Sequence, residues 1–184
     1  MRTLLLITVL WLSACGLPVT VPDTARLAPG QLGTGFDPDV TAMNLAQYSF
    51  ADSSRLYGRP ADAARAAASM EYVAGEFYTS PRWANISALT KEQLLQGRIE
   101  VRTALGVAPG TPSQAVVDRL TAAGTALASD DRAAALAQLG APVFTPPADE
   151  VLARLGNMPY LRMANVSTMR AAEQMFDPSG RDWE

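Results

Sequence analysis

Proline and glycine divide this chain into segments of helical length, and within them apolar residues return every three or four positions rather than every two. Asp37-Pro38 combines an N-cap with a first-turn proline. Val40, Met43, Ala46 or Gln47, Phe50, Ser54 and Tyr57 then recur at helical spacing until Gly58. Pro60 opens the next segment, where Ala63, Ala67, Met70, Ala74 and Phe77 alternate steps of four and three as the buried stripe of a helix does. So short a turn between the two predicts an antiparallel hairpin. Its alanines and serines predict axes near the lower end of the usual separation of about 8–10 Å. A third helix is expected from about Thr90, with Gln93 as capping-box partner, to Leu105, its inward stripe being Leu94, Val101 and Leu105 flanked by Leu95 and Ile99.

Three stretches then repeat one stop signal: Leu105-Gly106 before Pro109, Leu139-Gly140 before Pro142, and Leu155-Gly156 before Pro159. Glycine past a helix end takes the left-handed cap, and the proline blocks continuation. Two starts also echo each other 35 residues apart, Thr111-Pro112 leading to Leu120 and Pro146-Pro147 leading to Leu155. That offset is near the period of helix-pair repeats, although capping rules alone generate it. A last helix is expected from Leu161 to Phe176, with Leu161, Asn165, Thr168 or Met169, Ala172 and Met175 inward. Met158, Met163, Met169 and Met175 read as adaptable core filling. The fold class is therefore all-α: a small helical bundle or short helix-hairpin array of about five to seven helices. It forms one domain over residues 39–178, followed by a short tail, 179–184. Residues 15–38, rich in glycine and proline and without period, read as a flexible tether with a root-mean-square reach of roughly 25 Å.

Hydrophobic residues make up 48% of the 184, enough for a core, but many are alanine. Close backbone approach must therefore replace large side chains. Histidine is absent and cysteine occurs once. These two facts exclude a His-dependent nucleophilic system, a His-ligated or Cys-based metal site, and an intramolecular disulfide. No cofactor is expected. The net charge is −3, and −4 once residues 1–14 and their Arg2 are removed. Without a basic run, a nucleic-acid partner is not expected.

The amino terminus has its own grammar. Met1-Arg2 is followed by an apolar run from Leu4 to Leu12, of signal-peptide length and too short to span a bilayer. Next comes Leu12-Ser13-Ala14-Cys15, holding the chain's one thiol. This pattern resembles the lipobox of bacterial lipoprotein precursors. The resemblance implies cleavage between Ala14 and Cys15, fatty acyl chains on Cys15, and a mature protein tethered to membrane by them. Several acyl chains on one residue hold a protein stably. Gly16 in place of an aspartate favours the periplasm-facing leaflet of the outer membrane over the inner membrane.

Within the body, one cluster carries groups capable of chemistry: Glu71, Tyr72, Glu76, Tyr78, Arg82 and Trp83. An aromatic and carboxylate cleft there could bind a glycan such as peptidoglycan, or hydrolyse it weakly. Glu71 and Glu76, however, lie about 140° apart around a helix, so that helix does not hold them as a pair. The plainer expectation is that Tyr72 and Phe77 fill the core while Glu71 and Glu76 are solvated. The ion pairs Asp52/Arg55, Asp62/Arg65 and Glu150/Arg154 are expected along helix faces. These readings point to a non-enzymatic, lipid-anchored structural or adaptor component of the envelope with a protein partner. The alternative is a cell-wall binder or weak carboxylate-dependent hydrolase.

Overall fold

The computed structural model describes residues 21–28 and 30–176. The lipobox, Ala14 and Cys15 with it, and the tail 179–184 lie outside the described residues. Among the described residues seven α-helices make up the body: α1 (Pro38–Phe50), α2 (Pro60–Thr79), α3 (Ala88–Leu105), α4 (Ser113–Ala128), α5 (Arg132–Gln138), α6 (Ala148–Gly156) and α7 (Arg162–Phe176). Among the described residues there is no strand beyond an isolated antiparallel bridge between Val107 and Phe144. No helix among the described residues is long and apolar enough to cross a membrane. The all-α bundle expected from the punctuation is the observed fold.

The bundle is built around α2. Its alanines at 63, 64, 66, 67 and 68, with Met70, Val73, Ala74 and Phe77, are fully buried, and α1, α3, α4 and α6 all pack on it. It packs on α1, as the short turn between them predicts, and on three further helices as well, so it is a central helix enclosed on most sides and not one with a single buried stripe. Small residues make this possible. A Cβ on Gly124 of α4 would stand 3.2 Å from the Ala61 carbonyl oxygen and 3.6 Å from the Ala64 Cβ. A Cβ on Gly97 of α3 would stand 2.6 Å from Met70 Cε, 2.9 Å from Ser167 Oγ and 3.1 Å from Ala164 Cα. Alanine buries little apolar area, so this core relies on contact between neighbouring backbones and their methyl groups.

Several local expectations change. The first helix ends at Phe50, because the Asp52 carboxylate accepts from the Ser54 N–H (2.9 Å) and starts a separate 3-10 turn, Ser53–Arg55. Tyr57 is left exposed. The N-cap of α3 is Ser87, whose hydroxyl accepts from the Thr90 N–H at 3.3 Å, so Thr90 lies inside the helix. Gly106 does take the left-handed cap (φ 74°, ψ 39°), and Val107 N–H reaches the Arg102 carbonyl at 2.9 Å. Gly140 and Gly156 do not have positive φ. At those ends the N–H groups of Leu139 and Asn157 close i→i+3 bonds to Leu136 and Arg154, and no left-handed residue is needed. Ile99 and Met169 are exposed, whereas Met158 and Met175 are buried. Glu150 and Arg154 pair at 2.6 Å. Asp62 instead faces Arg59 at 3.9 Å. Arg55 lies 4.2 Å over the Tyr48 ring and donates to the Tyr48 carbonyl.

Part of the expected tether is also seated on the body. Ala25 is buried, and Leu27 and Leu32 pack against the core.

The α3–α7 contact gives a direct check. Gly97→Leu forces side-chain volume against the α7 backbone at Ala164 and is expected to lower stability by about 3 kcal/mol, the upper end for overpacking, measured by denaturant unfolding.

Candidate functional site

The sequence cluster splits into two nodes on different sides of α2. One residue turns a helix by about 100°, so Glu71 and Tyr72 leave the helix in different directions.

Tyr72 faces α1, where it meets a carboxylate that the sequence reading missed. Asp39, in the first turn of α1, is buried. It accepts from the Tyr72 hydroxyl at 2.5 Å, from the Arg82 guanidinium at 2.9 Å and from the Trp83 indole N–H at 3.1 Å. Both of its oxygens are thereby used. Pro81–Trp83 forms a 3-10 turn directly after α2, and this turn brings Arg82 and Trp83 back onto the α1 N-terminus. Arg82 also pairs with Asp37, whose carboxylate caps α1 by accepting from the N–H groups of Asp39 (3.0 Å) and Val40 (3.3 Å). The Trp83 ring stacks on Phe77 with centroids 4.6 Å apart, and the Arg82 guanidinium lies over the Trp83 ring, 4.5 Å from its centroid. The Arg82 hydrogen bond, ahead of opposing burial, holds the Asp37 carboxyl below its ordinary 3.8. Burial first, then the bond and charge of Asp39, push the Tyr72 hydroxyl far above its ordinary value, so it remains a protonated donor.

Glu71 faces α3 and is 2% exposed, which overturns the expectation that it is solvated. Arg102 grips it bidentately, Nε to Oε2 at 2.9 Å and Nη2 to Oε1 at 2.5 Å, and Arg98 stands 3.9 Å away. Arg102 donates its remaining Nη1 to the Thr111 carbonyl at 3.0 Å. Arg98 donates to the Asp23 carbonyl at 2.7 Å and to Ser113 Oγ at 3.2 Å. Burial lowers the Arg98 pKa. For Arg102, burial acts the same way but is outweighed by the Glu71 bond and charge, which raise it.

The remaining cluster residues join neither node as ligands. Glu76 is half-buried on the Tyr72 side. Tyr78 sits at the surface and donates to Glu92 at 3.0 Å. The six residues therefore do not line one open cleft. Trp83, Tyr72 and Phe77 have no exposed aromatic face, and among the described residues no buried side-chain nitrogen or oxygen lacks a partner. No group of three or more metal-ligating side chains occurs among the described residues. An open depression of about 580 Å³ lies at the opposite end of α2, where Arg59, Asp62, Asp130, Arg132 and Asp149 mix both signs of charge. No known protein family, curated protein or solved structure matches the chain.

The buried face of α1 keeps the expected Met43, Ala46 and Phe50, with Val40 packed at its edge, but is wider than that stripe and takes in Asp39, Ala42 and Ser49. Arg98 and Arg102, four residues apart, share one side of α3 next to the buried Val101.

Two outcomes follow. Asp39→Ala leaves the Tyr72 hydroxyl and Trp83 N–H without their acceptor and Arg82 without its buried partner. It is expected to cost about 3–5 kcal/mol in denaturant unfolding, the range for breaking a buried charge pair. Because the folded Asp37 pKa is depressed, its contribution is complete above the ordinary 3.8 and is lost as pH falls through the lowered folded value. The stability gap between wild type and Arg82→Gln should therefore be full above about pH 4 and narrow below it, read from urea unfolding across pH 2–7.

Proposed function

We propose that the protein is a lipid-anchored, periplasm-facing helical lipoprotein, serving as a non-enzymatic structural or adaptor component of the bacterial envelope. The observation that carries the non-enzymatic half is the saturation of both buried carboxylates. Asp39 and Glu71 have every oxygen occupied by Arg, Tyr or Trp donors from other elements. A general base or nucleophile needs an oxygen free to face substrate, and these carboxylates face only their own fold. The membrane address rests on the Leu12-Ser13-Ala14-Cys15 pattern. The outer membrane is favoured through Gly16.

The alternative, a glycan binder or hydrolase using Glu71 to Trp83, has less support. Glycan recognition by aromatic residues needs an accessible ring face, and here Phe77 and Trp83 stack on each other inside the fold.

Labelling cells with a radioactive fatty acid tests the address. The wild-type chain should take up label and Cys15→Ser should not; equal labelling would overturn it. Cross-linking in living cells tests the adaptor role, with a discrete envelope-protein adduct expected. Retention on insoluble peptidoglycan that is lost in Trp83→Ala, with no protein adduct, would instead favour the alternative.

A further inference from the structure

The segment preceding α1 is bound along α4. The Asp23 carboxylate accepts from the Ser113 N–H at the start of α4, and the Asp23 carbonyl accepts from Arg98 at 2.7 Å. At the next residue of α4, Gln114 Oε1 accepts from the Arg26 N–H at 2.7 Å, and Gln114 Nε2 returns a bond to the Arg26 carbonyl at 3.1 Å. Gln31 then donates to Thr121 Oγ1 at 2.8 Å. The segment thus runs in the same direction as α4, with Ala25 buried beneath it. Gly75 of α2 makes room for it: a Cβ there would lie 2.8 Å from the Asp23 carbonyl oxygen and 3.0 Å from Thr24 Cα.

We infer that this strap shortens the leash of the helical body and turns the Ser113 end of α4 toward the anchoring lipid bilayer. The inference rests on the lipid-anchor reading, since it takes Cys15 as the fixed point. Only residues 16–22 then separate Cys15 from the bound strap, a length of chain that spans at most about 25 Å. With the strap released, the linker continues to Asp37, and its limit rises to about 75 Å. The occupant of the face is thus the membrane itself, because the chain leaves the body beside the first turn of α4. The opposite end of α4 lies about 24 Å further along the helix axis. The strap is held by these polar bonds, by buried Ala25 and by Leu27 and Leu32, which pack against the core from its edge.

Energy transfer to the bilayer surface measures this orientation. The lipidated full-length protein is reconstituted in phosphatidylcholine vesicles carrying a head-group acceptor. A donor dye is placed on a single added cysteine, at exposed Pro109 near the start of α4 or at exposed Ala128 at its end; the Cys15 thiol is already consumed by lipid. Transfer from the Pro109→Cys site should exceed that from the Ala128→Cys site. The excess should be lost when about ten Gly/Ser residues are inserted between Leu17 and Pro18, a change that leaves the body untouched. It should also be lost in Gly75→Leu, which removes the space the strap occupies. Equal transfer from the two sites in the parent protein would overturn the inference, as would an excess that survives both changes. If neither site transfers, the protein is not on the bilayer, and the anchor reading falls together with the leash.

Discussion

The most enclosed helix of this bundle carries a full negative charge in its middle, and the surrounding packing is arranged around that fact. Removing a carboxylate from water costs several kcal/mol unless its oxygens are met by well-placed donors. Glu71 is met by the guanidinium of Arg102 in the two-bond geometry that suits a carboxylate, with Arg98 behind it. Those two arginines in turn take the Thr111 carbonyl, the Ser113 hydroxyl and the Asp23 carbonyl. One buried charge therefore fixes the register of α3 against α2 and the position at which α4 begins. It also fixes the path of the strap before α1. The network does for a core poor in large side chains what a cluster of leucines and phenylalanines does elsewhere: it leaves few alternative ways to assemble the pieces.

Asp39 does the same at the other side of α2. It joins the first turn of α1 to Tyr72 and to the Arg82-Trp83 turn. The chain has to come back on itself after α2 for those donors to arrive. The stacked Phe77 and Trp83 rings add the apolar contact that holds the turn in place. Between the two nodes, α2 is packed through alanine and glycine contacts that give close approach but little side-chain specificity. Polar pairing supplies the specificity that the small apolar residues cannot.

This arrangement bears on function through what it leaves unused. Glu71, Tyr72 and Trp83, which look chemically capable in the sequence, are turned inward and bonded within the fold. Recognition by the body then has to come from its surface.

The helices themselves were legible in the residues. Asp37-Pro38, Pro60, Thr111-Pro112 and Pro146-Pro147 mark starts that the structure uses, and Gly106 marks a stop, because caps and prolines act within a few residues of chain. The inward positions Ala63, Ala67, Met70, Ala74 and Phe77 of α2 followed from local periodicity for the same reason. The sequence by itself also determined that no histidine or paired cysteine chemistry is open to this chain. Only the tertiary structure decided that α2 is enclosed on most sides, since a stripe shows one buried face and cannot show how many neighbours arrive. The fate of Glu71 and Asp39 was likewise settled by residues 31 to 44 positions away, through contacts that have no local signature. A carboxylate reads the same in a sequence whether water or an arginine faces it, and which of the two it meets depends on how the helices close.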